Sequence, residues 1–312
     1  MSLTRPALRG EIIVCCILFF PGCVPGGVDS NTPKEMTRVL LHQGIQRTFQ
    51  LYVPSGYDGT ALPLILVYHE TFASGRDICR ATRFSMLAER DRFIVAYPDA
   101  VNGSWNDGRA ERTTSVDDVD FTRVLIDQIQ SEFAIDLTRV YATGYSNGGH
   151  MVSRLAFELG ETFAAVAPVA SLLSVDLLNL VPRPKSKIPI LLIQGTADPL
   201  TPFAGGPGFL GHGVVLSAWD TADFWIGHNE ASPIPQFDEL PDSNPTDGTF
   251  ARRQVHSPLN SHGAEVILIS VEGGGHTWPG GQHLLPSTFL GLTGGDFSAS
   301  EEIGSFFSRH SR

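Results

Sequence analysis

The run Val140-Tyr141-Ala142-Thr143-Gly144-Tyr145-Ser146-Asn147-Gly148-Gly149 decides the fold. An apolar strand-like stretch, a G-x-S-x-G turn and then Met151, Val152, Leu155 and Ala156 at helical spacing describe a strand, a very tight turn and a helix in succession. Gly144 and Gly148 leave room where side chains would collide, so Ser146 stands at the apex with its hydroxyl projecting. The helix behind it aims its N-terminal N–H groups at the same place, where they favour developing negative charge. The bare motif arises often by chance; the strand before it and the helix after it make it specific.

On either side of this run the same alternation continues. Strand-like runs fall at 50–53, 64–68, 93–97, 164–169, 190–194 and 266–271, most of them continuously apolar as expected of strands covered on both faces. Val116, Val119, Val124, Leu125, Ile129 and Phe133 predict a helix over 116–133, and the stretch after the serine turn predicts another over 148–159. Ser298 followed by Glu301 is a capping-box pattern ahead of Ile303, Phe306 and Phe307, which predicts a closing amphipathic helix. Together these predict an α/β chain with a mostly parallel central sheet, helices on both faces and one domain over 47–312. Residues 231–248, rich in Pro, Asp, Ser and Asn, read as a long surface excursion before a strand near 250–255.

A serine hydroxyl is a poor nucleophile at neutral pH, so it needs a base in hydrogen-bond reach and a third group to orient that base. With a serine elbow of this kind the chain order is Ser, then Asp or Glu, then His. Asp198 lies in Gly195-Thr196-Ala197-Asp198-Pro199, just past the 190–194 strand, where a carboxylate reaches the sheet edge; taken alone it is also an ordinary turn residue before Pro. His276 follows the 266–271 strand within Gly273-Gly274-Gly275-His276-Thr277-Trp278-Pro279-Gly280-Gly281, whose glycines allow the sharp turn that would carry the imidazole over Ser146. His256, His262 and His283, in loop-like or polar sequence without a strand-end setting, read as solvated surface groups, while His212 and His228 flank a helical pattern and His310 is nearly terminal. The oxyanion donors expected are the Asn147 N–H and one from His69-Glu70-Thr71, that is Glu70 or Thr71, with His69 itself structural. No His, Cys or carboxylate cluster has metal-ligand spacing, so no metal is expected.

The 312 residues carry a formal charge of −11, with 42% hydrophobic and 18% charged residues. That balance describes a folded globular chain and argues against nucleic acid as a partner, since backbone binding rests on Lys and Arg. Arg5 and Arg9 precede the apolar 12–20 run, which is shorter than the ~20 residues of a membrane span; residues 1–22 therefore read as an export segment and 23–46 as a flexible tether. Phe20-Pro21-Gly22-Cys23 resembles a lipobox, making Cys23 a lipidation candidate, the alternative being cleavage near Gly26 or Gly27. Cys15, Cys16 and Cys23 lie in this leader region, which leaves Cys79 alone and no internal disulfide.

With those residues placed, the chain resembles the polyhydroxybutyrate depolymerase-like esterases of the α/β-hydrolase superfamily, which are similar to bacterial feruloyl and acetylxylan esterases of carbohydrate esterase family one. The resemblance runs from about residue 47 to 310. It rests on Arg47-Thr48-Phe49, Gly103-Ser104-Trp105-Asn106-Asp107, Val116-Asp117-Asp118-Val119, the 144–149 turn, Gly195-Thr196-Ala197-Asp198, His276-Thr277-Trp278-Pro279 and the 297–307 region. It implies an α/β-hydrolase fold and acyl transfer to water through an acyl-enzyme, with no metal or organic cofactor. Two positions depart from the family: Glu70 stands where Gly usually follows His69, and Gln194 where a His often precedes Gly195, the latter expected to affect packing more than chemistry.

Trp105 and Trp278 are candidates to hold a sugar or phenolic ring, or else core packing. The substrates expected are feruloyl or acyl esters on plant polysaccharide, or small esters, hydrolysed outside the cytoplasm, with membrane contact only through a lipid anchor and no obligate protein partner. A polyhydroxyalkanoate depolymerase is the alternative within this chemistry, a prolyl-peptidase-like hydrolase the alternative from another enzyme class, and a non-catalytic binding lipoprotein the alternative that is not an enzyme.

Overall fold

Continuous apolar runs become central strands here because both of their faces are covered. The computed structural model describes residues 34–110, 116–181, 183–209 and 213–312. The export segment 1–22, Cys23 and His212 lie outside the described residues.

The strands are β1 (Lys34–His42), β2 (Ile45–Val53), β3 (Leu62–Tyr68), β4 (Ile94–Pro98), β5 (Ile135–Tyr145), β6 (Ala165–Val169), β7 (Ile190–Gly195), the short β8 (Gly206–Pro207) and β9 (Val214–Val215), β10 (Gln236–Glu239), β11 (Phe250–His256) and β12 (Val266–Glu272). Ten of them form one sheet in the order β1-β2-β4-β3-β5-β6-β7-β12-β11-β10. Pairing is parallel from β4 through β12 and antiparallel at both edges.

The helices are α1 (Gly75–Thr82), α2 (Phe84–Asp91), α3 (Asp118–Glu132), α4 (Asn147–Glu158), α5 (Val175–Leu180), α6 (Ala218–Asn229), α7 (Ser287–Leu290) and α8 (Ala299–Ser308). Along β3, Leu64 and Leu66 pack with α3, α4 and α6, whereas Ile65 and Val67 pack with α1, α2 and α8. The period-two alternation thus feeds two cores, each fully buried Leu, Ile or Val stabilising by about 1.5–3 kcal/mol. This is the α/β-hydrolase fold expected from the sequence.

After β3 the chain turns to β4 on one side and then crosses back to β5 on the other. Helices α1 and α2 therefore cover one face and α3 the other, and a crevice opens where the strand order reverses. Residues 69–71 after β3 and Ser146 after β5 both lie at that crevice.

Two stretches differ from expectation. The flexible tether expected over 23–46 is, from Lys34 onward, an edge strand paired antiparallel with β2 through a Gln43-Gly44 turn with positive φ at both residues. Half-exposed edge pairing leaves Val39 and Leu41 in solvent, so the segment carries little apolar signal. The excursion over 231–248 holds β10, an exposed edge strand that survives by pairing with β11.

Candidate active site

Ser146 closes β5 and caps α4 with φ 56° and ψ −117°, a strained setting that throws its side chain out of the turn. Close packing enforces the small residues around it: a Cβ on Gly148 would sit 2.1 Å from the Tyr68 carbonyl oxygen. His276 reaches over from the loop after β12. Its own N–H donates to the Leu290 carbonyl at 2.6 Å, and the Tyr145 hydroxyl donates to its carbonyl at 2.6 Å. The glycines before it are needed for this approach, since a Cβ on Gly275 would lie 2.0 Å from the Leu290 carbonyl oxygen.

The structure brings the three candidate residues together. His276 Nε2 is 2.7 Å from Ser146 Oγ, and His276 Nδ1 is 2.8 Å from Asp198 Oδ2. Asp198 is buried and fully engaged, its Oδ1 accepting from the Leu200 and Thr201 N–H groups at 2.8 Å each. The Gln194 amide donates to Asp198 Oδ2 at 2.8 Å and to the Thr201 carbonyl at 2.9 Å. Gln194 therefore touches the carboxylate itself, which corrects the expectation that it bears on packing more than on chemistry. Its place four residues before Asp198, at the end of β7, was the available signal. Such a relay can draw the proton from Ser146 as the oxygen attacks, while the buried carboxylate keeps Nδ1–H in place and stabilises the imidazolium.

Asn147 follows Ser146, and the Thr71 N–H makes no bond to a protein acceptor among the described residues. Asn147 also works through its side chain: Oδ1 accepts from the Trp105 N–H at 2.8 Å, and Nδ2 donates to the Trp105 carbonyl at 3.2 Å and to Asp107 at 2.6 Å. His69 accepts the Ala100 N–H at Nε2, so its proton sits on Nδ1 and is donated to the Glu70 carbonyl at 2.6 Å. Burial lowers the pKa of this neutral ring, and its two bonds brace the loop carrying Glu70 and Thr71.

Trp105 and Trp278 do not line the site. Both are fully buried, Trp105 donating from its indole to the His69 carbonyl at 3.0 Å and Trp278 from its indole to Ser300 Oγ at 3.1 Å. Rings this enclosed offer no face to a ligand, so the core-packing alternative holds for each. The aromatic residues that do border the cavity are Phe72, Tyr145, Phe209 and Phe289. Phe72 is 88% exposed at the lip and has φ 64°, an unfavourable conformation for a bulky residue, held by its N–H bond to the Gly103 carbonyl.

The cavity over Ser146 and His276 holds about 490 Å³, walled also by Leu200, Val215, Leu284, Leu285 and Leu290. Its polar wall residues include Glu70, Thr71, Arg109 and His283. His283 is thus part of the site and not a solvated surface group, and His256 is buried with its Nδ1 on the Ser232 carbonyl. No group of metal-ligating side chains occurs among the described residues.

Residues 47–223 match the model of the family described as esterase PHB depolymerase. The putative esterase NocK of Nocardia uniformis subsp. tsuyamanensis is 29% identical over 86% of this chain and 81% of its own length. Feruloyl esterase B of Piromyces equi is 30% identical over 72% of this chain, which spans only 41% of that protein. Among solved structures, the acetyl xylan esterase from Aspergillus awamori superposes with a TM-score of 0.58 over 88% of this chain and 98% of its own, at 14% identity, a likeness of fold.

Proposed function

Because the chain belongs to the esterase PHB depolymerase family, we propose that it is an exported serine esterase hydrolysing feruloyl or other acyl groups on plant polysaccharide, or small esters. The observation that carries this reading is the Asp198–His276–Ser146 relay, with bonds of 2.8 and 2.7 Å at the floor of a largely apolar cavity. Ser146 Oγ attacks the ester carbonyl and passes its proton to His276 Nε2. The oxyanion that forms is met by the N–H of Asn147 and one from the Glu70-Thr71 loop, each such donor being worth roughly 100- to 1000-fold in rate. His276 then protonates the leaving alcohol, and water repeats the sequence on the acyl-enzyme to release the acid. No metal or organic cofactor is needed.

The leader at 1–22 directs the enzyme out of the cytoplasm, and a lipid at Cys23 would tether it to the envelope. Labelling with a radioactive fatty acid should mark the full chain and spare a Cys23→Ser variant if that tether exists.

The test of the chemistry is hydrolysis of p-nitrophenyl acetate and methyl ferulate by the wild type beside Ser146→Ala, which should lose on the order of 10⁶ in kcat. Cleavage of both esters supports the feruloyl reading, acetate alone a short-chain esterase. Ser146-independent turnover would overturn the mechanism.

A further inference from the structure

The Asp198 side chain is wholly shielded from solvent, and its two oxygens offer about four lone-pair sites. Oδ1 accepts the Leu200 and Thr201 N–H groups, and Oδ2 accepts from His276 Nδ1 and from Gln194 Nε2, all at 2.8 Å. Two of these donors are main-chain groups of the acid's own loop and one is the base. Gln194, buried at the end of β7, is the only other side chain that reaches the carboxylate among the described residues. Its second amide proton goes to the Thr201 carbonyl at 2.9 Å. A flipped amide would set Oε1 against a carboxylate oxygen and a carbonyl oxygen, so charge fixes the orientation and leaves Oε1 buried with no partner among the described residues. An unpaired buried oxygen is costly, and an apolar side chain of the same length would fill the place without it.

We infer that Gln194 is a positioning residue for acyl transfer: it pins Asp198 Oδ2 toward His276 and braces the carboxylate against the Leu200-Thr201 part of the cavity wall, which keeps the imidazole aligned on Ser146. The inference rests on the serine-esterase reading above. Without the amide, Oδ1 keeps its two N–H donors while Oδ2 keeps only the imidazole. The carboxylate can then swing about its anchored oxygen and draw the His276 ring away from Ser146 Oγ, now 2.7 Å from Nε2. The rate of attack responds steeply to such a displacement. Ester binding does not, because Leu200 and Thr201 line the cavity whereas Gln194 lies behind them. A positioning role therefore acts on kcat and spares KM. Simple packing would tolerate an apolar replacement of equal length.

The test compares the wild type with Gln194→Met, which matches the length without a donor, and Gln194→His, which keeps an N–H at similar reach. Each is assayed on p-nitrophenyl acetate, with urea unfolding and the far-downfield proton resonance of the His276 Nδ1–H followed in parallel. A hydrogen bond to a charged group converts to roughly ten- to a hundredfold, so Gln194→Met should lose that much in kcat with KM nearly unchanged. The loss stays below the roughly 10⁴-fold expected when the acid loses its charge, because Oδ1 remains anchored. The Nδ1–H resonance should move in Gln194→Met, and Gln194→His should recover most of the kcat and of the resonance position. A folded Gln194→Met with wild-type kcat, or a loss of kcat that Gln194→His does not relieve, overturns the inference. If Gln194→Met does not fold, Gln194→His decides alone: kcat and resonance near those of the wild type support the role, and a folded variant without activity overturns it. Turnover that survives Ser146→Ala strikes instead at the serine-esterase reading, and the positioning role falls with it.

Discussion

Replacing Trp105 with Phe separates a brace from a substrate platform. The indole N–H donates to the His69 carbonyl at 3.0 Å, the ring meets Tyr68 edge-on at 5.0 Å, and the residue is fully buried. Phe keeps an aromatic ring but has no donor, leaving the His69 carbonyl unpaired at a cost of about 1–3 kcal/mol. The smaller ring leaves a void whose cost adds roughly another 1 kcal/mol. A loss of about 2–4 kcal/mol corresponds to a Tm lower by roughly 3–7 °C for a domain of this size. Urea and thermal unfolding measure that loss, and steady-state kinetics on p-nitrophenyl acetate and methyl ferulate should show both KM values moving together. An unchanged unfolding midpoint with KM rising for the ferulate alone would mean that the indole face meets substrate, and would refute the reasoning.

Asp198→Asn should lower kcat on p-nitrophenyl acetate by roughly 10⁴-fold, since an amide facing His276 Nδ1 favours the wrong tautomer; a loss below tenfold would remove Asp198 from its role. Gly148→Ala should give little folded protein, because its Cβ would lie 2.1 Å from the Tyr68 carbonyl oxygen, and an unaltered melting temperature would contradict that close approach. Glu70 should make stability fall as pH rises. Its carboxyl, raised by burial, lowered in part by its own backbone N–H, and affected less by Asp77 (raising) and His276 (lowering), keeps its proton in the fold up to about 7 but loses it near the ordinary 4.5 when unfolded. Its contribution is full below that lower value and lost as pH passes through about 7. Relative to wild type, Glu70→Gln should therefore gain roughly 3 kcal/mol between pH 4 and 8 in urea unfolding, and a difference independent of pH would show that the acid is not buried as described.

The serine turn was legible because its geometry is local: Gly144 and Gly148 are four residues apart, and the steric demand acts between them. The parallel sheet was legible because burial on both faces leaves continuous apolar runs such as Leu64-Ile65-Leu66-Val67. Asp198 and His276 could be singled out from their strand-end settings and chain order, although each alone suits an ordinary turn. Trp105 and Trp278 show where such reading stops. A tryptophan near a catalytic motif is equally compatible with a wall and a brace, and only the position of Ser300 and of the His69 carbonyl decides which. Lys34–His42 gave little signal because an edge strand needs hydrogen bonds from one neighbour and apolar cover on one face.

By itself the sequence determined the α/β alternation, the tight serine turn and the order in which Ser146, Asp198 and His276 occur, since these follow from short-range sterics and from hydrophobic period. The tertiary structure alone decided that Gln194 bonds to Asp198, that Asn147 grips the Trp105 main chain, and that Glu70 and His283, more than 200 residues apart, share one cavity wall. The physical reason is that a side chain's partner and burial depend on which distant segments the sheet order brings beside it, and no local pattern encodes that distance.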